Sequence, residues 1–248
     1  ISTARNVGVA LASGDIVVFI DDDAIANKDW LSQLARRYED QRVLGVGGKV
    51  LPEWTGKRPR WFPEEFDWVV GCSYRGLPRK ASPVRNFIGC NMSFRREVFS
   101  VVEGFDDELG RGAAHPAGCE ETDLCIRVGN HWPNGILMYE PQAVVRHLIP
   151  SSRENWRYFL SRCFFEGRSK GHLARLVGSR VGLSSERSYT LRTLPSGIVL
   201  GLYDTVAQRN WYGIARASAI FVGLLYTTTS YLVASAVPGK TSKMAISG

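Results

Sequence analysis

The chain has 248 residues, 44% of them hydrophobic and 22% charged, a composition that suits one sizeable folded domain with an appendage and excludes a disordered or fibrous protein. Its five cysteines form no C-x-x-C pair, are odd in number and lie in apolar or mixed surroundings, which suits a reducing compartment and points to packing residues rather than structural zinc. The net charge of +7 is uneven: residues 151–248 hold 13 Lys/Arg against 4 Asp/Glu, whereas residues 1–150 hold 18 against 20, so the basic part faces something anionic.

In chain order, "ISTARNVGVALASGD" predicts an amphipathic helix capped by Ser2 or Thr3 and stopped at Gly14. "IVVFI" (16–20) reads as a strand buried on both faces, and it runs directly into Asp21, Asp22 and Asp23. Residues 27–40 carry Trp30, Leu31, Leu34, Ala35 and Tyr38 at helical spacing, and 42–52 form a strand loosened by glycines. Residues 53–85, rich in Trp, Pro and Arg, predict a long functional loop such as a lid. A strand and short helix follow at 86–99, a short helix opened by acids at 119–130, and two short strands around Pro141 at 135–148.

Three adjacent carboxylates repel one another unless something cationic holds them. At the carboxyl end of a strand in an open α/β sheet, where ligands gather, oxygen ligands of this kind select Mg²⁺ or Mn²⁺ together with substrate phosphates. A nucleotide diphosphate is therefore the expected partner.

The blocks "ARNVGVALASGDIVVFIDDDA", "GCNMSFRREVF", "EGFDDELG", "CEETDLCIRV" and "VVRH", in that order, resemble family 2 glycosyltransferases of the GT-A fold over about residues 3–150. The resemblance implies a Rossmann-like mixed sheet flanked by helices, with Asp21 and Asp23 holding the metal and Asp22 between them in the donor site. It implies a catalytic acid pair at Glu120 and Glu121, with Glu121 as the base where many relatives have Asp. His147 would assist the metal, Arg5 would face the nucleotide, and Asn91 would border the sugar. The strand that holds the nucleotide base in the family has no counterpart here, so the chain is expected to be a fragment.

Residues 1–150 are thus the expected catalytic domain and 151–248 a helical, membrane-associated region. In the latter, Ser151 and Glu154 form a capping-box pattern before a stripe of Trp156, Phe159, Leu160, Cys163 and Phe164, which suits packing on the catalytic domain or lying on a membrane. Ala217–Val237 is 21 residues without a charge, long enough to span a bilayer but diluted by Ser and Thr, so spanning, re-entrant and soluble hairpin readings stay open.

The resulting expectation is a metal-dependent, inverting glycosyltransferase taking a nucleotide-sugar donor and a glycan or lipid-linked acceptor at the cytosolic membrane face. A nucleotidyl- or phosphoryl-transferase is the second enzyme class, weakened by the lack of a P-loop signature. A non-catalytic membrane-associated binding module is the third reading, and no nucleic-acid motif is present.

Overall fold

The computed structural model describes residues 1–107, 118–177 and 186–236. Helix α1 (Ser2–Leu11) leads into β1 (Ile16–Ile20), β2 (Ala24–Ala26), α2 (Trp30–Arg37) and β3 (Val43–Trp54). A 3-10 turn at Glu64–Val70 and the two-residue β4 (Ser82–Pro83) precede β5 (Asn91–Arg95), α3 (Arg96–Val101), α4 (Glu120–His131) and β6 (Ile136–Ile149). The helices α5 (Trp156–Val177), α6 (Leu194–Ala207) and α7 (Tyr212–Ala236) complete the described chain.

The strands form one mixed sheet in the order β1-β5-β3-β6-β2, with β3 and β6 parallel and the other pairs antiparallel; β4 adds to β6. The sheet flanked by helices matches the expected class. Two local expectations are corrected. Among the described residues β1 pairs β5 and lies at the edge of the sheet, with Val17 as its one buried residue, so its apolar run does not reflect burial on both faces here.

Pro141 does not divide β6 either. Register jumps from Gly48 opposite Glu140 to Lys49 opposite Val144, so the three intervening residues bulge out and the strand resumes. The bulge leaves backbone carbonyls in need of donors. Asn91 supplies them, its Nδ2 bonding Lys49 O at 3.0 Å and Ala143 O at 2.9 Å, while Trp30 Nε1 donates to its Oδ1 at 2.9 Å. Gly48 leaves the room for this, because a Cβ there would run into both Ala143 O and Asn91.

The segment 53–85, expected as a functional loop or insert, is anchored in the core. Phe62, Phe66, Val69, Val70 and Cys72 are fully buried, and they join Val46, Val50, Val145 and Ile149 of the sheet to Phe159, Cys163, Leu194, Ala219 and Ile220 of the C-terminal helices in one core. That core crosses residue 150. α5 starts on Asn155, whose Oδ1 accepts from Tyr158 N at 2.9 Å, rather than on the Ser151–Glu154 pair, which lies in a 3-10 turn and its end. Its apolar stripe faces protein in part: Phe159 and Cys163 are completely buried and Trp156 stacks on Trp61 at 4.2 Å, while Trp156 and Phe164 stay exposed on one side. All five cysteines are free and buried, as their surroundings implied.

Candidate functional site

The acidic turn is placed by the sheet. β1 ends at Ile20, a tight turn closes with Ala24 N donating to Asp21 O at 3.1 Å, and the chain returns as β2, which pairs β6 with Ala24 opposite His147. That register sets Asp23 beside His147, Oδ1 to Nε2 at 3.1 Å, with Arg153 Nη2 at 3.9 Å from the other carboxylate oxygen. The second ring nitrogen of His147, which is itself buried, lies 3.7 Å from Cys72 Sγ.

Arg5 joins this turn to the acid pair 115 positions away. Its guanidinium reaches Glu120 Oε1 at 3.0 Å, Asp21 Oδ1 at 3.4 Å and Gly89 O at 3.2 Å, and it lies over the Phe105 ring. A planar, permanently charged fork can hold three oxygens at once where a point-charge lysine could not. Glu120 is buried, and its Oε2 has no hydrogen-bond partner among the described residues, an unsettled oxygen at the mouth of α4. Cys119, just before the helix, sits at φ 98°, a left-handed conformation that a non-glycine residue adopts only under constraint. Arg127 provides part of that constraint: it pairs with Asp123 at 2.7 Å and donates to Val102 O and to Gly104 O, tying α4 to the preceding turn.

Glu121, next in the helix, is half-buried, and its carboxyl is pushed above the ordinary carboxylate range by burial first and by the neighbouring Glu120 charge second. A group held there is able to accept a proton near neutral pH.

Of the expected site residues, Arg5 contacts Asp21 and Glu120, and Asp23 contacts His147, two groups joined through the acidic turn, with Glu121 adjacent in the chain and Asp22 exposed at the apex of the turn. Asp21 is engaged by Arg5, so Asp23 and His147 face each other without it, and among the described residues no three His, Cys, Asp or Glu side chains converge on one point. The donor set still fits a hard divalent ion. Asp21 and Asp23 are about one-third exposed, with the open, two-carboxylate character of sites where substrate phosphates complete the shell.

Asn91 does not join the cluster. It is completely buried, and its bonds to Trp30, Lys49 and Ala143 occupy both amide hydrogens and the oxygen, so the structure gives it the bulge rather than the sugar. Residues 108–110 of "EGFDDELG" lie outside the described residues. Sequence reasoning missed Arg153 and Cys72. Arg153 carried a faint signal in its place just after β6, whereas nothing local in the sequence marks Cys72 as a neighbour of His147.

The glucosyl-dolichyl phosphate glucuronosyltransferase of Haloferax volcanii is 39% identical over 171 residues, covering 68% of this chain and 54% of that protein. Succinoglycan biosynthesis protein ExoM of Rhizobium meliloti is 27% identical over 233 residues, covering 91% and 71% respectively. The chain thus spans about half the length of the first of these relatives. A crystal structure of GalNAc-T7 with UDP, GalNAc and Mn²⁺ covers 85% of this chain and 44% of its own at 13% identity and TM-score 0.44, a likeness too slight to bear on fold or chemistry. Residues 1–102, which carry Arg5 and the acidic turn, match the family model for glycosyl transferase family 2, and the chain belongs to that family.

Proposed function

We propose that this chain is the catalytic part of an inverting glycosyltransferase that moves a sugar from a nucleotide-sugar donor to a glycan or lipid-linked acceptor. The observation that carries the reading is Arg5, whose single guanidinium holds Asp21 of the acidic turn and Glu120 of the acid pair in one site. Transfer with inversion needs a base on one side of the anomeric carbon and neutralised phosphate on the other.

Asp23 and His147 would hold Mn²⁺ or Mg²⁺, with Asp21 or Asp22 completing the protein's share; bound there, the ion would neutralise charge on the departing diphosphate. Arg153 adds a second positive charge on the same side. Glu121 takes the proton of the acceptor hydroxyl as that oxygen bonds to the anomeric carbon and the bond from that carbon to the diphosphate oxygen breaks. Glu120 is held by Arg5 at 3.0 Å, and burial first and the neighbouring Glu120 second keep the proton affinity of Glu121 high.

A lipid-linked acceptor draws support from the name of the Haloferax relative and from α7, whose 25 residues are long and apolar enough to cross a membrane by length and composition. The reading places the site at the cytosolic membrane face, where nucleotide sugars are supplied.

The test is product analysis with the full chain, metal and a radiolabelled nucleotide-sugar panel. Sugar transfer with release of the nucleoside diphosphate is expected, and loss by about 10²-fold or more in Glu121→Gln with donor affinity retained. Incorporation of the nucleotide with release of sugar 1-phosphate would instead establish a nucleotidyltransferase.

A further inference from the structure

The C-terminal hairpin is built unlike a helix that crosses a bilayer. α7 is about 37 Å long at 1.5 Å per residue, and its middle residue pair, Gly223 and Leu224, lies against the protein body. A Cβ on Gly223 would meet the Phe66 ring and, at 3.0 Å, Phe159, both core residues of the sheet-bearing part. From there α7 runs parallel to α5 at glycine-limited distance, Gly167 against Thr227 and Ser230, and Gly171 against Tyr231 and Ala234. α5 carries Arg162, Glu166, Arg168 and Lys170 along that stretch, with Glu166 and Lys170 paired at 3.5 Å. Threading α7 through a membrane would draw those four charges and part of the core to its middle, at about 2.5–3.5 kcal/mol for each cation near the centre even on the most lenient scale.

The outer faces tell the rest. α6 and α7 pack antiparallel through Gly201 and Gly213, with Gly197 of α6 against Ile220 of α7, and each rests its other side on the body, Gly197 against Glu65 and Gly223 against Phe66. Away from the body α6 turns out Val199, Leu202, Tyr203 and Val206, and α7 turns out Phe221, Leu225, Leu232 and Val233, all more than 40% exposed. The two helices hold only two charged residues, Asp204 and Arg216, and these pair with each other across the hairpin. Exposed Arg192 and Arg209 stand just outside the two ends of α6, with Trp211 beside the turn at 77% exposure, cationic and aromatic groups placed where phospholipid headgroups would meet them.

We infer that α6 and α7 lie flat in the headgroup and outer acyl region of a phospholipid bilayer, outer faces down, and that α7 does not span it. This deepens the membrane part of the reading above. It makes no use of sugar transfer, and the assay reads lipid binding alone, so either can fail without the other.

The test is flotation of the full chain with phosphatidylcholine vesicles, with and without phosphatidylglycerol, followed by alkaline carbonate extraction of membranes from cells producing it. Binding to both vesicle types, stronger with phosphatidylglycerol, and release by carbonate are expected. Val206→Glu and Phe221→Glu, at sites too exposed to disturb the fold, should each weaken partitioning about tenfold or more with unchanged circular dichroism. Retention through carbonate would show a spanning helix. Failure to bind vesicles, binding abolished by high salt alone, unaltered binding in both variants, or a stable dimer with this face covered would each overturn the inference.

Discussion

Arg5 is the residue whose removal the structure makes most consequential. Glu120 is 4% exposed, Arg5 is the hydrogen-bond partner of its Oε1, and its Oε2 has none among the described residues. Arg5→Met therefore leaves a buried carboxylate with no countercharge, a change that costs about 3–5 kcal/mol when one member of a buried pair is deleted. The losses at Asp21 and Gly89 are smaller, because Asp21 is one-third exposed and water replaces the guanidinium there. At about 2–4 °C per kcal/mol for a chain of this size, the melting temperature should fall by roughly 6–20 °C. Arg5→Met combined with Glu120→Leu removes both charges and replaces them with apolar volume, which is commonly neutral or better. Thermal unfolding by circular dichroism of the wild type, both single variants and the double variant gives the coupling directly. A melting point for Arg5→Met within about 2 °C of wild type, or a double variant less stable than Arg5→Met, would refute the claim that Glu120 is a buried charge held by Arg5.

Three further outcomes follow from other parts of the molecule. Asn91→Leu strands the carbonyls of Lys49 and Ala143 and the indole N–H of Trp30, and should cost about 3 kcal/mol or more in denaturant unfolding, since each buried polar group left unpaired costs about 1–3 kcal/mol. Glu121 has a folded-state pKa raised above its unfolded value near 4.5, so the folded state holds the proton more tightly and loses stability as pH climbs from the unfolded value through the folded one. Glu121→Gln should accordingly be more stable than wild type at mildly alkaline pH and equal to it in acid, while the wild-type rate should rise with pH along an acid limb whose midpoint lies above the ordinary carboxylate range. Gly167→Val should lower stability by about 1–3 kcal/mol through overpacking of α5 on α7, readable as a shifted urea midpoint with the slope unchanged.

Much of the site was legible because its chemistry is local. Three aspartates after a strand and two glutamates opening a helix announce themselves by repulsion that only a cation or a helix dipole relieves, and Arg5 and His147 came with the motifs that surround them. The fold around them was less legible. β2 is three residues of Ala and Ile, too short for any periodicity, yet its pairing with β6 is what sets Asp23 against His147. β1 looked doubly buried because β-branched residues serve an edge as well as an interior. Pro141 looked like a break because a three-residue bulge has no sequence signature beyond the proline that tolerates it. Asn91 was misplaced for the opposite reason: its motif pointed to the sugar, while its amide geometry was needed by two carbonyls that only the folded sheet brings near.

The continuity of the core through Ala219, Ile220 and Gly223 bears on how such an enzyme can be handled outside a cell. Trimming the chain at Asn210, the obvious way to discard an apolar tail, would strip cover from Phe66 and Phe159 and trade one sticky surface for another made of core residues. Resurfacing is the better route to a water-soluble catalyst: polar replacements at Val199, Leu202, Val206, Phe221, Leu225 and Leu232 leave the inward glycine seams intact. A protein altered that way would hold the same site over a face that no longer needs lipid or detergent, and its activity on a soluble acceptor would measure the chemistry separately from the membrane's contribution.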